Sequence, residues 1–260
     1  MRALAVCLFS CLLLHTFAAD AAQQVRVGGY HFPPYLFKPE ASQPRGLVPE
    51  LLQALNRLQG EYRFVLVPTS ATRRYRDLQS GRYDLILFES SQWGWQDTPH
   101  LGLPLDIEDA EVYVAAAVPG RGQEYFADFD GKRMALYSGY HYGFAGYNAD
   151  QDYLGRTFNA VLTYSHDSNL RLLQLQRADV AVITRSYLQS YLERYPEQAA
   201  GLLVSERFDQ VYRHQVLLRP DGPLTPEQMA QLLARLQADG ELMRLLRRYH
   251  LTLGDKTVAD

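Results

Sequence analysis

Apolar positions along this chain switch repeatedly between a period of two and a period near 3.6. Residues 23–30 (QQVRVGGY) predict a strand that runs into a turn rich in Gly, Pro and aromatics. Residues 46–60 (GLVPELLQALNRLQG) place Leu47, Leu51, Leu52, Leu55 and Leu58 on one helical face between two glycines. YRFVLVP (62–68) predicts a strand, TRRYRDLQSG (72–81) a helix, and DLILF (84–88) a third strand. A βαβαβ order of this kind predicts a parallel sheet covered by helices.

The order then recurs. RMALYSG (133–139) and NAVLTY (159–164) read as strands, SNLRLLQLQ (168–176) as a helix with Ser168 as N-cap, and DVAVIT (179–184) as a further strand. The halves share wording: LQSGRYDLIL (78–87) and LQLQRADVAV (173–182) both read Leu-Gln-x-x-Arg-x-Asp and then three apolar residues. These matches, in order at one helix-to-strand junction, imply two lobes of similar build, with Asp84 and Asp179 in structural roles capping that junction. RHQVLLRP (213–220) is a late strand. One or two amphipathic helices follow, started by Thr225 and Pro226 and broken at Gly240.

Bulk properties narrow the class. The chain has 260 residues, 47% hydrophobic and 21% charged, which fits one large or two ordinary globular domains. A net charge of −3 without a basic stripe argues against nucleic acid as partner. The opening 22 residues, with Arg2 before an apolar run and small residues at 18–22, read as a cleaved secretory signal peptide, so the expected compartment is the periplasm. Cys7 and Cys11 both fall there, and the apolar stub before Cys11 is too short for a lipoprotein leader. The expected mature chain therefore has no disulfide or thiol chemistry. No metal-ligand spacing, phosphate loop or nucleophile elbow occurs, so neither cofactor nor metal is expected.

Strand ends carry the candidate chemistry. LILFESSQWGWQ (85–96) leaves a buried strand with a carboxylate, two hydroxyls and the only two tryptophans. In open α/β sheets ligands sit beyond the carboxyl ends of strands. That rule selects Glu89, Ser90, Ser91 and Trp93 here, and Tyr30, Phe32 and Tyr35 after the first strand. In the second half it selects Gly139, Tyr140 and His141, then Thr184 and Arg185; Arg73 or Arg74 joins from a helix start. Glu89 stands out, because a carboxylate after four apolar strand residues needs water or a partner. The arginines 73, 74 and 76 also read as one solvated helix turn, and either tryptophan as packing.

Taken in order, VGGYHFPPYLF, GLVPELLQALNRL, LQSGRYDLIL, DFDGKRMALYSGY and YHLTL make nearly the whole mature chain resemble the bacterial extracellular solute-binding proteins of family 3. The resemblance implies a type II periplasmic-binding-protein-like α/β fold, with two mixed sheets flanked by helices and a hinge of two crossover strands. Lobe one would span 23–114, lobe two 115–207, and 208–260 would return to lobe one. It implies a monomer that traps a small-molecule solute between lobes for an inner-membrane ABC permease. The alternatives are a sensor subunit acting on a membrane receptor, or an enzyme resembling cyclohexadienyl dehydratases with Glu89 and His141 as acid and base. Amino-acid binders of the family clamp the α-carboxylate with an arginine where Gln96 stands here, and the α-ammonium with an aspartate where Thr184 stands. These departures point to a small polar or amine-bearing solute other than a standard α-amino acid, with Arg73, Arg74 or Arg185 left to meet any anion.

Overall fold

The computed structural model describes residues 21–254. The leader expected over 1–22, with both cysteines, lies outside the described residues save its last two positions. The first lobe opens with β1 (Gln23–Gly29), α1 (Leu47–Leu58), β2 (Tyr62–Pro68), α2 (Arg74–Gln79), β3 (Leu85–Glu89) and β4 (Leu101–Pro104). A short β5 (Ile107–Glu108) leads into the second lobe: β6 (Ala110–Ala116), β7 (Met134–Tyr137), α3 (Gln151–Phe158), β8 (Ala160–Thr163), α4 (His166–Gln174), β9 (Val180–Thr184), α5 (Arg185–Arg194) and β10 (Leu202–Val211). The chain then returns through β11 (Gln215–Leu218), α6 (Pro226–Ala238), α7 (Glu241–Arg248) and β12 (Thr252–Leu253).

Two five-stranded sheets result, ordered β2-β1-β3-β11-β4 and β8-β7-β9-β6-β10, while β12 pairs with β5 beside the crossings. In both, the first three strands are parallel and the last two antiparallel additions. The two-lobed, mixed-sheet architecture read from the sequence is therefore the one observed. The boundaries differ. Val114 and Arg207, expected at the lobe borders, lie inside β6 and β10, which pair along most of their length as members of the second sheet. The chain crosses instead between Pro104 and Ala110, and again between Val211 and Gln215.

The repeated Arg-x-Asp junction has a common structural role, though not as a cap. Asp84 accepts from the Arg26 backbone N–H at 2.9 Å and from its Nε and Nη2 at 3.0 and 2.7 Å. Asp179 receives the same three donors from Arg133, at 2.8, 2.9 and 3.1 Å. Each aspartate thus ties the start of one strand, β3 or β9, to its parallel neighbour, β1 or β7, through a bidentate fork. The N-cap of α4 is Ser165 rather than Ser168: the Ser165 hydroxyl accepts from the Ser168 N–H at 3.0 Å, so the helix begins earlier. Thr225 caps α6 as read, in a reciprocal capping box with Gln228. Gly240, at φ 72°, separates α6 from α7. Helix α1 buries Leu47, Leu51, Leu52 and Leu55 against the first sheet's core, at roughly 1.5–3 kcal/mol per leucine.

Candidate functional site

Every residue of β3 is buried, Glu89 included. Gln215 of β11 lies opposite Glu89 but Leu217 lies opposite Ile86, so β3 carries one extra residue there. Phe88 takes up this bulge with φ 60°, a left-handed conformation that costs a bulky residue on the order of 1 kcal/mol. Such bulges re-aim side chains next to sites. Glu89 Oε2 accepts from Arg74 Nε at 3.2 Å and from Trp95 Nε1 at 2.8 Å.

Arg74 is only 1% exposed. It also donates to the carbonyls of Ala71 and Trp93, and its guanidinium faces the rings of Tyr75, Tyr30 and Trp95. Burial alone would lower its pKa, but Glu89 and the surrounding tyrosines outweigh that and raise it. Burial pushes the Glu89 carboxyl up, opposed first by Arg74 and then by the Trp95 hydrogen bond. The carboxylate at the end of β3 is therefore the counter-ion of a buried arginine.

The two lobes meet just beyond this pair. Tyr30, Phe32, Arg74 and Trp93 form the lobe-one wall of an interlobe cavity. Gly139, Tyr140 and His141, after β7, face them together with Glu111 of β6, Gln210 of β10 and Tyr212 of the return crossing. Trp93 Nε1 donates across the gap to Gln210 Oε1 at 3.0 Å. The Gln210 amide donates in turn to Glu111 Oε2 at 2.7 Å and to the His141 carbonyl at 2.5 Å. Phe32 meets Tyr140 edge-on at 5.4 Å and Trp93 meets Tyr212 at 5.1 Å. The cavity left is about 10 Å3, room for roughly one water, so a solute of amino-acid size requires the lobes to part.

Polar groups in this wall differ in how well they are satisfied. Burial first, and the charge of Asp209 next, push the Glu111 carboxyl well above its usual range. The Tyr140 hydroxyl is buried without a hydrogen-bond partner among the described residues. His141 Nε2 sits 3.4 Å from the Tyr75 hydroxyl, and burial, then Arg74, lower its pKa to about 3. A separate groove of about 780 Å3 flanks the seam, lined by His31, Phe37, Arg45, His166, Tyr187 and Arg248 among others. It lies away from β3, and the smaller cavity is where strand ends of both lobes converge.

Of the sequence candidates, Tyr30, Phe32, Trp93, Gly139, Tyr140 and His141 come together at this cavity. Glu89 stands one layer behind Arg74. Ser90 is buried outside the lining, and Ser91 is exposed. Tyr35 lies at the crossings, donating to Asp109 at 2.7 Å with His214 Nε2 2.8 Å from its hydroxyl. Thr184 reaches the wall only through Tyr212, at 3.3 Å, and His166, at 3.1 Å. Arg73 is exposed beside Ser70, and Arg185 turns toward Asp109 and the Phe208 ring. Arg74 is the arginine at the cavity, not part of a solvated turn. Glu111, Gln210 and Tyr212 were missed, although Glu111 in AEVYVAA carries the same signal as Glu89, a carboxylate inside an apolar run.

Fold and cleft define a two-lobed, type II periplasmic binding protein. The chain belongs to the family described as ABC transporter, phosphonate, periplasmic substrate-binding protein, whose model matches residues 47–254. The family 3 resemblance thus holds at the level of the shared fold, while the family shown is the phosphonate one. No curated protein sequence matches the chain. Among solved structures, an ancestral arginine-binding protein bound to arginine superposes with a TM-score of 0.65 at 17% identity, covering 88% of this chain and 99% of its own. The probable amino-acid ABC transporter extracellular-binding protein YtmK of Bacillus subtilis gives 0.65 at 16%, covering 90% and 100%. A histidine kinase sensor domain with similarity to periplasmic binding proteins gives 0.63 at 20%, covering 88% and 97%. At these identities the likeness concerns the fold.

Proposed function

We propose that this protein captures a small solute bearing an ammonium group in the interlobe cavity and delivers it to an inner-membrane ABC permease. One observation carries the reading. Glu111, a buried carboxyl without a cationic partner among the described residues, faces an aromatic wall in the same cavity as the Tyr140 hydroxyl, likewise unpartnered among them. Aromatic faces and a carboxyl together attract cations, and more strongly once water is excluded. Arg74 adds a positive group, but Glu89 already balances its charge. An anion alone therefore finds less here than a cation does, and a solute with both charges can use both walls. Aminoalkylphosphonates fit that description and the family's name. Gln96 and Thr184 still leave the usual α-amino-acid anchors absent, so a standard α-amino acid would have to use Arg74 and Glu111 instead.

Thermal unfolding with ethanolamine, L-arginine, 2-aminoethylphosphonate and the amine-free control ethylphosphonate tests this. A binder present at 100 times its Kd stabilises by about 2.7 kcal/mol. The expected result is stabilisation by 2-aminoethylphosphonate or another amine and none by ethylphosphonate. Ethylphosphonate binding as tightly as its amino analogue overturns the reading. Chemical consumption of a binder on incubation would replace transport with catalysis. Glu89 tied to Arg74, away from the cavity lining, does not favour that outcome.

A further inference from the structure

We infer that a solute's ammonium and a proton compete for Glu111, so that capture of a cation expels one proton from the closed cleft. The inference rests on the amine reading above and adds its regulation. Two buried carboxyls stand near this cavity, and their surroundings differ. Glu89 has a guanidinium at 3.2 Å and an indole N–H at 2.8 Å. Glu111, also 1% exposed or less, has uncharged donors instead, the Gln210 amide at 2.7 Å and the Tyr212 hydroxyl.

The groups facing Glu111 from each packed element deepen the contrast. Asp209 on β10 and Asp109 ahead of β6 are acidic and favour the protonated form. Tyr212 from the return crossing, and Tyr140 and Tyr142 from the loop after β7, are neutral, their pKa values raised well above 10 by burial. His141 stays neutral under the combined effect of burial and Arg74. Arg74, on the opposite wall, is committed to Glu89. A buried carboxylate lacking a counter-ion is costly enough that the group protonates instead. When a cation enters, it supplies the missing charge: the Glu111 O–H bond breaks, the carboxylate pairs with the ammonium, and the proton leaves to solvent.

Calorimetric titration with L-arginine and with ethanolamine, in buffers of different ionisation enthalpy, counts the protons. Both probes keep their cationic charge from about pH 5 to about 8. The expected result is close to one proton released per solute bound, with affinity improving about tenfold per pH unit until the carboxyl ionises unaided. Glu111→Gln should bind more weakly, release no proton and show a flat pH profile. Infrared difference spectra of the wild type give a second readout that needs no variant: a carboxylic-acid band in the free protein that disappears on binding. Binding without proton release, or a free protein lacking that band, overturns the exchange. Failure of every amine in the panel to bind overturns the amine reading instead, and loss of the free-protein band in Glu111→Gln then reports the state of Glu111 by itself.

Discussion

Arg74 and Glu89 have exchanged water for each other. Removing one member of such a pair leaves an uncompensated charge and costs about 3–5 kcal/mol, whereas replacing both is often far milder. Glu89→Gln is therefore expected to lower the urea midpoint sharply, and Arg74→Met with Glu89→Gln to recover much of the loss. Equal damage from single and double variants would show that the pair is not coupled. His166 and His214 make a second residue-scale case. Both are buried, and desolvation above all takes each from 6.5 down to about 3. Their neutral forms stabilise the fold fully above pH 6.5, and this is lost as pH falls toward 3, because the unfolded chain takes up the proton first. Protonation of Glu111 works in the opposite direction, so the histidine effect is best read by difference. Acid unfolding of His166→Gln should be shallower than wild type by about 1.4 kcal/mol per pH unit, and identical slopes would show that His166 is not held neutral.

Helices and strands were legible where one apolar stripe faces one core. α1, β2 and the start of α6 appear within a residue or two of their predicted ends, since leucine spacing, strand alternation and the Thr225-Pro226 start are local signals. The capping box gives a direct check: Thr225→Ala should cost about 1 kcal/mol in urea unfolding while leaving the cleft intact, and no change would mean that the α6 start contributes nothing. β10 was not read because it is half exposed and its pairing with β6 slips at two places, which breaks the alternation a strand would show. The bulge in β3 is equally silent in sequence. A residue that re-aims Glu89 looks like one more apolar position in LILF.

Closure is a property of the whole molecule. Its contacts across the cavity include the Trp93–Gln210 hydrogen bond and two edge-on aromatic pairs, together about 2–4 kcal/mol. A micromolar solute brings about 8 kcal/mol, enough to replace them all. Gly139 sits at φ 85° in this seam, and a Cβ there would stand 2.9 Å from the Cβ of Ala71 in the other lobe. Gly139→Ala should therefore leave each lobe folded, apart from about 1 kcal/mol of local strain, but hold the two apart. Small-angle scattering in the presence of a binding amine should show a larger radius of gyration than wild type. Full closure of the variant would mean that the lobes do not approach this closely in solution.

The amino-acid sequence by itself determined the element order, the doubled lobe and the neighbourhood of the strand ends, because apolar period and turn chemistry act over a few residues. It also marked Asp84 and Asp179 as a repeated device through shared wording, while their partners Arg26 and Arg133 came from the structure. Tertiary structure decided which arginine of 73, 74 and 76 turns inward, that Glu89 serves as its counter-ion, and that Glu111 stands across the gap with no cation beside it among the described residues. Those outcomes depend on which surfaces the two sheets press together, and residues 74, 111 and 210 share a cavity only after the chain has crossed into the second lobe and that lobe packs on the first.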